Sequence, residues 1–427
     1  MRLGARKRKG SGRDYSTTRF LCESRSGQGI LEAISCEEDE EQSMGDVAVI
    51  GGGASGLAAA IEAARAGYSA TVYEATDRVG KKILATGNGR CNLTNMLLKA
   101  SDYNHPDFVA PALNQLGPEE IRAWFSELGL FTVEEREGRV YPLSNTANSV
   151  LDVLRETCTR LGIEVVVGAK AEAVRAGGDG FALELANGDK VAADKVIIAA
   201  GGGSRLLKGC GHKIVRNSNI LCAISTDTRN IRGMSGVRVR GHIKLMAPGV
   251  AEPAFEEDGE LLFRDYGVSG IAAFNASRFV EEGQTLFIDF IPTMSEEELA
   301  SNLEERLAWA ATAEELMCGI FHPQVNRLLM RVAGVKPSEE PELGDVRRLA
   351  RTAKSFRLAV KGPGDVKHAQ VTRGGADVNE FDAQTMQSKK TFGLYACGEC
   401  LDVDGPCGGF NLHWAWASGI TAGRSIS

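Results

Sequence analysis

The sequence predicts an α/β protein in which a parallel-sheet domain is interrupted by an inserted α+β domain. A strand, turn, helix and strand follow one another from Gly45, which is typical of a βαβ unit. The middle of the chain changes to extended segments and charged amphipathic helices, and a strand and a helix close the chain. With 427 residues, 43% of them hydrophobic and 25% charged, the chain can form two or three globular domains.

The βαβ unit begins with residues 47–50, an apolar run of the buried parallel type, followed by a turn over 51–56. An alanine-rich helix over 57–66 and a second strand over 70–74 complete it. The other predicted helices cover residues 118–128, 149–161, 295–310, 345–354 and 412–423. The other predicted strands cover residues 164–167, 181–185, 195–200, 237–245, 286–290 and 392–396.

Four segments follow from these changes of pattern. Residues 1–43 start basic and end acidic with no apolar segment of a secretory signal, so we expect a disordered tail, with Met44 as the native start. Residues 44–212 are the first part of the parallel-sheet domain, and residues 356–427 are its second part. Residues 213–355 between them are predicted to form the inserted domain on the substrate side.

Composition excludes several classes of protein. A net charge of −7 disfavours a nucleic-acid surface, so a small-molecule partner is expected. Ten cysteines are too sparse for a disulfide scaffold and show no zinc-finger spacing, so we expect a cytoplasmic protein without a metal site. The longest nearly apolar stretch, residues 47–64, contains three consecutive glycines and Glu62 and is a poor membrane span. The oligomeric state stays open.

Glycine is over-represented, with 50 residues against a usual share of about 7%. Residues 51–56 match G-x-G-x-x-G between a strand and a helix. Gly51 allows the tight turn, Gly53 lets the backbone approach a pyrophosphate, and Gly56 allows close helix packing. Glu74, which ends the next strand, is suited to accept hydrogen bonds from ribose hydroxyls. This pattern predicts dinucleotide binding, but FAD and NAD share it.

Two further segments favour a flavin. The glycine-rich loop 86–92 follows the basic pair Lys81-Lys82 and is suited to enclose the far side of a pyrophosphate. Near the C-terminus, residues 397–399 end a strand and residues 408–412 open a helix. The backbone N–H groups of such a helix start could stabilise negative charge on a reduced flavin ring.

With these residues, the chain resembles the BaiN-type, aminoacetone-oxidase-like family of FAD-dependent oxidoreductases. The resemblance spans about residues 45 to 425, and is most specific at residues 86–95, 393–395, 402–405 and 408–412. It implies a Rossmann-like FAD-binding domain of the glutathione-reductase type, split by an inserted domain. It implies that FAD is held by Gly51, Gly53, Ala54, Ser55, Gly56, Glu74, Lys82, Thr86, Gly87, Asn88, Gly89, Arg90, Cys91, Asn92, Ala171, Ala200, Gly201, Gly398, Glu399, Gly409, Phe410, Asn411 and Leu412.

Activities attributed to this family are the reduction of activated double bonds in steroid-like substrates and the oxidation of a small amine. We therefore expect hydride transfer through flavin N5, with an oxygen-using amine oxidase as the alternative. No second G-x-G-x-x-G follows residue 56, so NADH or NADPH is expected to dock only transiently as electron donor. The catalytic residues are not identified by the sequence.

One departure from the family leaves a third alternative, a flavin-binding module without turnover. Family members carry a loop and a helix after the segment that matches Ala200 and Gly201. In this chain the connection is shorter, because only residues 204–209 precede Cys210-Gly211-His212.

Cys397 and Cys400 form a C-x-x-C motif, which we interpret as two buried, inert cysteines rather than a redox dithiol. Cys91 is interpreted as a packing contact, and His413 as a structural residue.

Overall fold

A computed structural model describes residues 43–178, 180–202 and 205–427, so the predicted tail lies outside the described residues apart from Ser43. The strands are β1 Asp46–Ile50, β2 Ser69–Glu74, β3 Thr94–Asn95, β4 Thr132–Glu134, β5 Arg139–Pro142, β6 Glu164–Val167, β7 Ala171–Gly177, β8 Gly180–Leu185, β9 Lys190–Ala193, β10 Lys195–Ile198, β11 Ile214–Ile220, β12 Ala223–Thr226, β13 Arg238–Met246, β14 Phe255–Arg264, β15 Gly267–Ser269, β16 Thr285–Asp289, β17 Phe356–Gly364, β18 Val371–Ala376 and β19 Leu394–Ala396. The helices are α1 Ala54–Arg65, α2 Lys81–Ala85, α3 Pro106–Gln115, α4 Pro118–Leu128, α5 Ala147–Arg160, α6 Arg205–Gly209, α7 Ile271–Ala276, α8 Glu296–Arg306, α9 Ala313–Met317, α10 Pro323–Ala333, α11 Leu343–Lys354 and α12 Phe410–Arg424.

A five-stranded parallel sheet forms the centre of the first domain, in the order β19-β10-β1-β2-β6. Its middle strand, β1, pairs with β10 on one side and β2 on the other, so the first and last parts of the chain share one sheet. The apolar residues of β1 and β10 are almost completely buried, as expected for a parallel sheet covered on both faces.

Helices α1 and α12 pack closely because small residues line their contact. A Cβ atom on Gly419 would lie 2.3 Å from the Ser55 carbonyl oxygen, and one on Gly423 would lie 2.5 Å from that of Ala59. Any larger side chain would force the two backbones apart, and α1 carries the turn that follows β1. This contact therefore fixes the C-terminal helix against the N-terminal βαβ unit.

The inserted domain is a closed six-stranded barrel in the order β12-β15-β14-β13-β16-β17. Its inward side chains form a hydrophobic core with helices α8 to α11, separate from the core around the parallel sheet. Smaller antiparallel sheets, β7-β8-β9, β3-β5-β4 and β11-β18, flank the two large units.

The predicted fold class is confirmed: a Rossmann-like parallel-sheet domain is interrupted by an α+β domain. The barrel strands run from Ala223 to Gly364, while the predicted boundaries at 212/213 and 355/356 stay predictions. Helix α1 begins at Ala54 rather than at the predicted residue 57, because Gly53 ends the turn as its N-cap. Helix α12 likewise begins at Phe410, two residues before its predicted start, after Gly409.

Candidate cofactor-binding site

The three motif glycines in the turn after β1 have different surroundings: two are closely packed, and one faces open space. Gly51 has φ +111°, and a Cβ on it would lie 2.4 Å from the Ala199 carbonyl oxygen. A Cβ on Gly56 would lie only 1.8 Å from the Gly51 carbonyl oxygen. A Cβ on Gly53, in contrast, would meet no atom of the described residues within 4 Å. Gly51 and Gly56 therefore hold the turn together, and Gly53 borders open space, which we call the cradle.

The N-terminus of α1 points its free donors at this cradle. Within α1 the first intrahelical acceptor, the Gly53 carbonyl, bonds the Leu57 N–H at 3.0 Å, so the N–H groups of Ala54, Ser55 and Gly56 remain available. Gly53 provides no capping side chain, and the first turn of α1 contains no acidic residue. The positive end of the helix dipole is thus free to bind an anion such as a pyrophosphate.

Glu74 is held at the carboxyl end of β2 by two backbone donors. One carboxylate oxygen accepts the Gly52 N–H at 2.8 Å, and the other accepts the Thr76 N–H at 2.8 Å. Each oxygen keeps a lone pair for a further donor. The Ala169 N–H donates to the Glu74 carbonyl at 2.8 Å, which brings the start of β7, at Ala171, to the same side.

The loop that contains Thr86 and residues 87–92 adopts an unusual backbone conformation. Gly87, Asn88, Gly89 and Cys91 all have positive φ, and for Asn88 and Cys91 this conformation costs about 1 kcal/mol or more each. Cys91 is fully buried, which raises the pKa of its thiol to about 12, as expected of a packing contact. Asn92 is also buried, and its Oδ1 accepts no hydrogen bond from the described residues. An unsatisfied buried acceptor beside the cradle fits a ligand donor.

Two basic residues of this region have partners within the protein. Lys82 forms an ion pair with Glu399, which joins the loop to the C-terminal segment. Arg90 pairs with Glu135 and lies with its guanidinium 3.9 Å from the Tyr141 ring centroid. Arg90 therefore braces the loop against β5, and its contact with the cofactor stays a prediction.

The segment after β19 meets the turn after β1. A Cβ on Gly398, which has φ +70°, would lie 2.5 Å from the Ser55 Oγ. Glu399 accepts the Thr372 N–H at 2.6 Å, and its other oxygen lies 4.0 Å from the Cβ position of Gly201. Ala200 lies beside the glycine turn, since its Cα is 3.1 Å from the Cβ position of Gly51. The structure thus brings residues 51–56, 200–201 and 398–399 together.

The start of α12 completes the site. Gly409 has φ +107°, and a Cβ on it would lie 2.5 Å from the Thr94 carbonyl oxygen and 3.0 Å from the Asn92 Oδ1. The N–H groups of Phe410, Asn411 and Leu412 form the first turn of the helix and have no intrahelical acceptor. The Asn411 side chain folds back to bond Gly405 at 2.9 Å, so Asn411 can offer the site its backbone only.

A model of the HI0933-like protein Rossmann domain matches residues 45–425. The chain belongs to this family. A 3-dehydro-bile acid delta(4,6)-reductase from Clostridium scindens is 35% identical over 410 residues, which cover 90% of this chain and 99% of the relative. A ribosomal RNA dihydrouridine synthase from Escherichia coli is 28% identical over 89% of this chain and 98% of the relative.

This HI0933-like protein is accordingly an FAD-dependent oxidoreductase. Among solved structures, it is similar to a 3-ketosteroid-delta4-(5alpha)-dehydrogenase from Rhodococcus jostii, with 17% identity, a TM-score of 0.43, and coverage of 92% of this chain and 98% of the other. The open space before Gly53, the free N-termini of α1 and α12 and the unsatisfied Asn92 oxygen all fit FAD. Bound FAD supplies the redox chemistry of its flavin ring.

Within the described residues, no group of His, Cys, Asp and Glu side chains is arranged to hold a metal ion. Nor does any helix in the described part of the chain have the length and apolar character needed to cross a bilayer.

Cys397 and Cys400 are fully buried and unoxidised. Burial raises the pKa of the Cys397 thiol to about 12 and that of Cys400 well above its usual value, which disfavours a nucleophilic thiolate. The Cys400 thiol donates to the Ile198 carbonyl at 3.0 Å, a bond that a serine hydroxyl can replace.

We expect Cys400→Ser to retain FAD and to reduce it within a few-fold of the wild-type rate with any effective donor. Stopped-flow reduction of the bound flavin is the measurement. A loss of two orders of magnitude with unchanged FAD content would instead require a redox dithiol.

His413 is buried on α12, and its Nδ1 lies 2.7 Å from the Thr94 Oγ1. Burial lowers the pKa of His413 to about 4. The unfolded chain binds this proton more tightly, with a pKa of about 6.5, so acid favours unfolding. Its Nε2 is buried without a hydrogen-bond partner among the described residues, and the structural role of His413 stays a prediction.

We expect His413→Gln to remove one source of acid sensitivity. The stabilising effect of neutral His413 is complete above pH 6.5 and is lost as the pH falls toward 4, a change of about 3 kcal/mol. Urea unfolding of both proteins at several pH values measures the difference. His368→Gln, at a side chain that is 81% exposed, is the control for the loss of a histidine.

An ionic network behind the start of α12 was not predicted. Asp404 is fully buried and pairs with Arg278 of the barrel domain at 2.9 Å and with Arg373 of β18 at 2.8 Å. Asp402 beside it accepts the Gly374 N–H at 3.1 Å and contacts His105 at 3.1 Å. The two aspartates belong to the segment that resembles the family most closely, but their partners are distant in sequence.

Proposed function

We propose that this HI0933-like protein uses NADH or NADPH to reduce an activated carbon–carbon double bond in a steroid-like small molecule. The observation that carries this proposal is the 35% identity, over 99% of its length, to a 3-dehydro-bile acid delta(4,6)-reductase. The closeness of residues 51–56, 200–201 and 398–399, and of Gly409 and Asn92, supports it.

The roles of the protein in this reaction are to bind and orient. The free N–H groups of α1 would hold the pyrophosphate, and Glu74 would hold the adenosine ribose. Asn92 and the N-terminus of α12 would lie at the flavin, where backbone donors stabilise negative charge on the reduced ring. The substrate would then lie between this ring and the barrel domain.

The redox partner is tested by adding NADH, NADPH or aminoacetone separately to the oxidised protein without oxygen. Rapid bleaching of the flavin by a nicotinamide is the expected result. Bleaching by the amine alone would favour the amine oxidase, and no bleaching by any of them would favour a binding module. The segment that motivates this last alternative includes Gly203 and Ser204, which lie outside the described residues.

A second candidate substrate is ribosomal RNA. Proteins from Escherichia coli and Haemophilus influenzae, 28% and 25% identical, are named ribosomal RNA dihydrouridine synthases. Dihydrouridine is uridine with one ring double bond reduced, so the bond chemistry is the same and only the substrate differs. Formation of dihydrouridine in unmodified ribosomal RNA, but no reduction of steroid enones, would favour this candidate.

A further inference from the structure

An acidic side chain of the barrel domain lies beside the segment that opens α12. Glu257 lies in the same row of β14 as the buried residues Gly259, Leu261 and Phe263, and its charged side chain is half-buried. A carboxyl group in such a row is costly unless it has hydrogen-bond partners or a function. The residues around Glu257 provide a hydrogen-bond partner and also indicate a function.

Asn275 of α7 connects Glu257 to the candidate flavin site. Its buried side-chain amide donates to the two Glu257 carboxyl oxygens at 2.8 and 3.1 Å. Its Oδ1 accepts the backbone N–H of Cys407 at 2.8 Å. Only Gly408 and Gly409 separate Cys407 from the first turn of α12. One asparagine thus connects a carboxyl group of the barrel to the segment that opens α12, where the flavin ring is proposed to lie.

The surroundings of Glu257 raise the pKa of its carboxyl group. Burial has the largest effect and raises the pKa of this carboxyl, and the nearby Glu137 and Asp258 raise it further. The hydrogen bond from Asn275 and the charge of Arg139 act in the opposite direction but do not cancel the rise. Cys407 adds no competing acid, because burial raises the pKa of its thiol to about 12.

We propose that Glu257 is the proton donor in the reduction of the substrate double bond, a role that rests on the proposed function. Reduced FAD, when bound, would supply a hydride to one carbon of the double bond and would itself be oxidised, while the π bond would break. The Glu257 O–H bond breaks and its proton goes to the neighbouring carbon, where the electron pair of the π bond forms the new C–H bond. The carboxylate then regains a proton from water.

The first test separates the two half-reactions of Glu257→Gln. Reduction of bound FAD by NADPH needs no proton donor to the substrate and should stay within two-fold of wild type. Reoxidation of the reduced flavin by a 3-oxo-4,6-diene bile acid should slow at least 100-fold, in the range of general acid catalysis. Glu256→Gln is the matched control, because Glu256 is exposed on the other face of β14 and pairs with Lys244. Unchanged reoxidation in Glu257→Gln would overturn the proposal.

The second test does not depend on turnover. Infrared titration should reveal a protonated carboxyl band above the usual glutamate range in the wild type and in Glu256→Gln, and no such band in Glu257→Gln. Asn275→Ala should move the titration to higher pH, because the lost hydrogen bond favours the ionised form. A wild type that reduces no enone contradicts the proposed function, whereas absence of the infrared band contradicts the role of Glu257.

Discussion

Gly53→Val is expected to yield a folded but colourless protein. Gly53 is the N-cap of α1, and its Cβ position opens on the cradle without touching the described residues within 4 Å. A valine side chain would therefore occupy the space that the pyrophosphate needs, at the point where the α1 N–H groups converge. We expect FAD content below about a tenth of wild type, a loss of more than about 1.4 kcal/mol in binding.

The measurement is the FAD released on heating, together with the far-ultraviolet circular dichroism of the protein. Gly209→Val is the matched control, since Gly209 ends α6, is exposed and also has nothing within 4 Å of its Cβ position. This control should remain yellow. A fully yellow Gly53→Val variant would contradict the placement of the cofactor.

Asp404→Ala is expected to lower the free energy of unfolding by about 3–5 kcal/mol, the usual result of breaking a buried ion pair. The carboxylate of Asp404 is inaccessible to water, and Arg278 is 9% exposed. Removal of Asp404 leaves the guanidinium groups of Arg278 and Arg373 without their buried partner. Because Arg278 belongs to the barrel domain, the contact between the two domains should weaken as well.

Urea unfolding measures the first effect, and limited proteolysis at the domain boundary measures the second. Glu260→Gln removes an exposed ion pair with Arg238 on the barrel surface and serves as control. Such a pair contributes about 1 kcal/mol or less. If Asp404→Ala were no more destabilised than this control, the network would not hold the domains together.

Local sequence patterns predicted several of the regular elements, but not helix α3 or strands β14, β17 and β18. Helix α4 and strand β6 have the bounds that their periodicity predicts, residues 118–128 and 164–167. Helix α10 was missed, although Pro323 at its first position and Gly334 directly after it are typical start and stop signals. The closed barrel could not be predicted, because β12 pairs with β17 across more than a hundred residues of sequence.

In the candidate site, too, features that depend on a local motif were predicted, and features that depend on tertiary contacts were not. The glycine turn after β1 was predicted from a local motif, and the contact of Gly56 with the Gly51 carbonyl lies within that motif, whereas the contact of Gly51 with Ala199 is tertiary. The interaction of Arg90 with Glu135 and the role of Asn411 in holding Gly405 depend on tertiary contacts. The same is true of Glu257 and Asn275, which no motif connects to the start of α12.

The most direct test of this account is a single turnover without oxygen. The protein is first reduced with one equivalent of NADPH and then mixed with a 3-oxo-4,6-diene bile acid, while flavin absorbance and product mass are followed. We expect the yellow colour to return and the product to gain two hydrogen atoms for each flavin oxidised. A flavin that stays reduced with this substrate and other enones, and is reoxidised only by oxygen, would contradict a double-bond reductase.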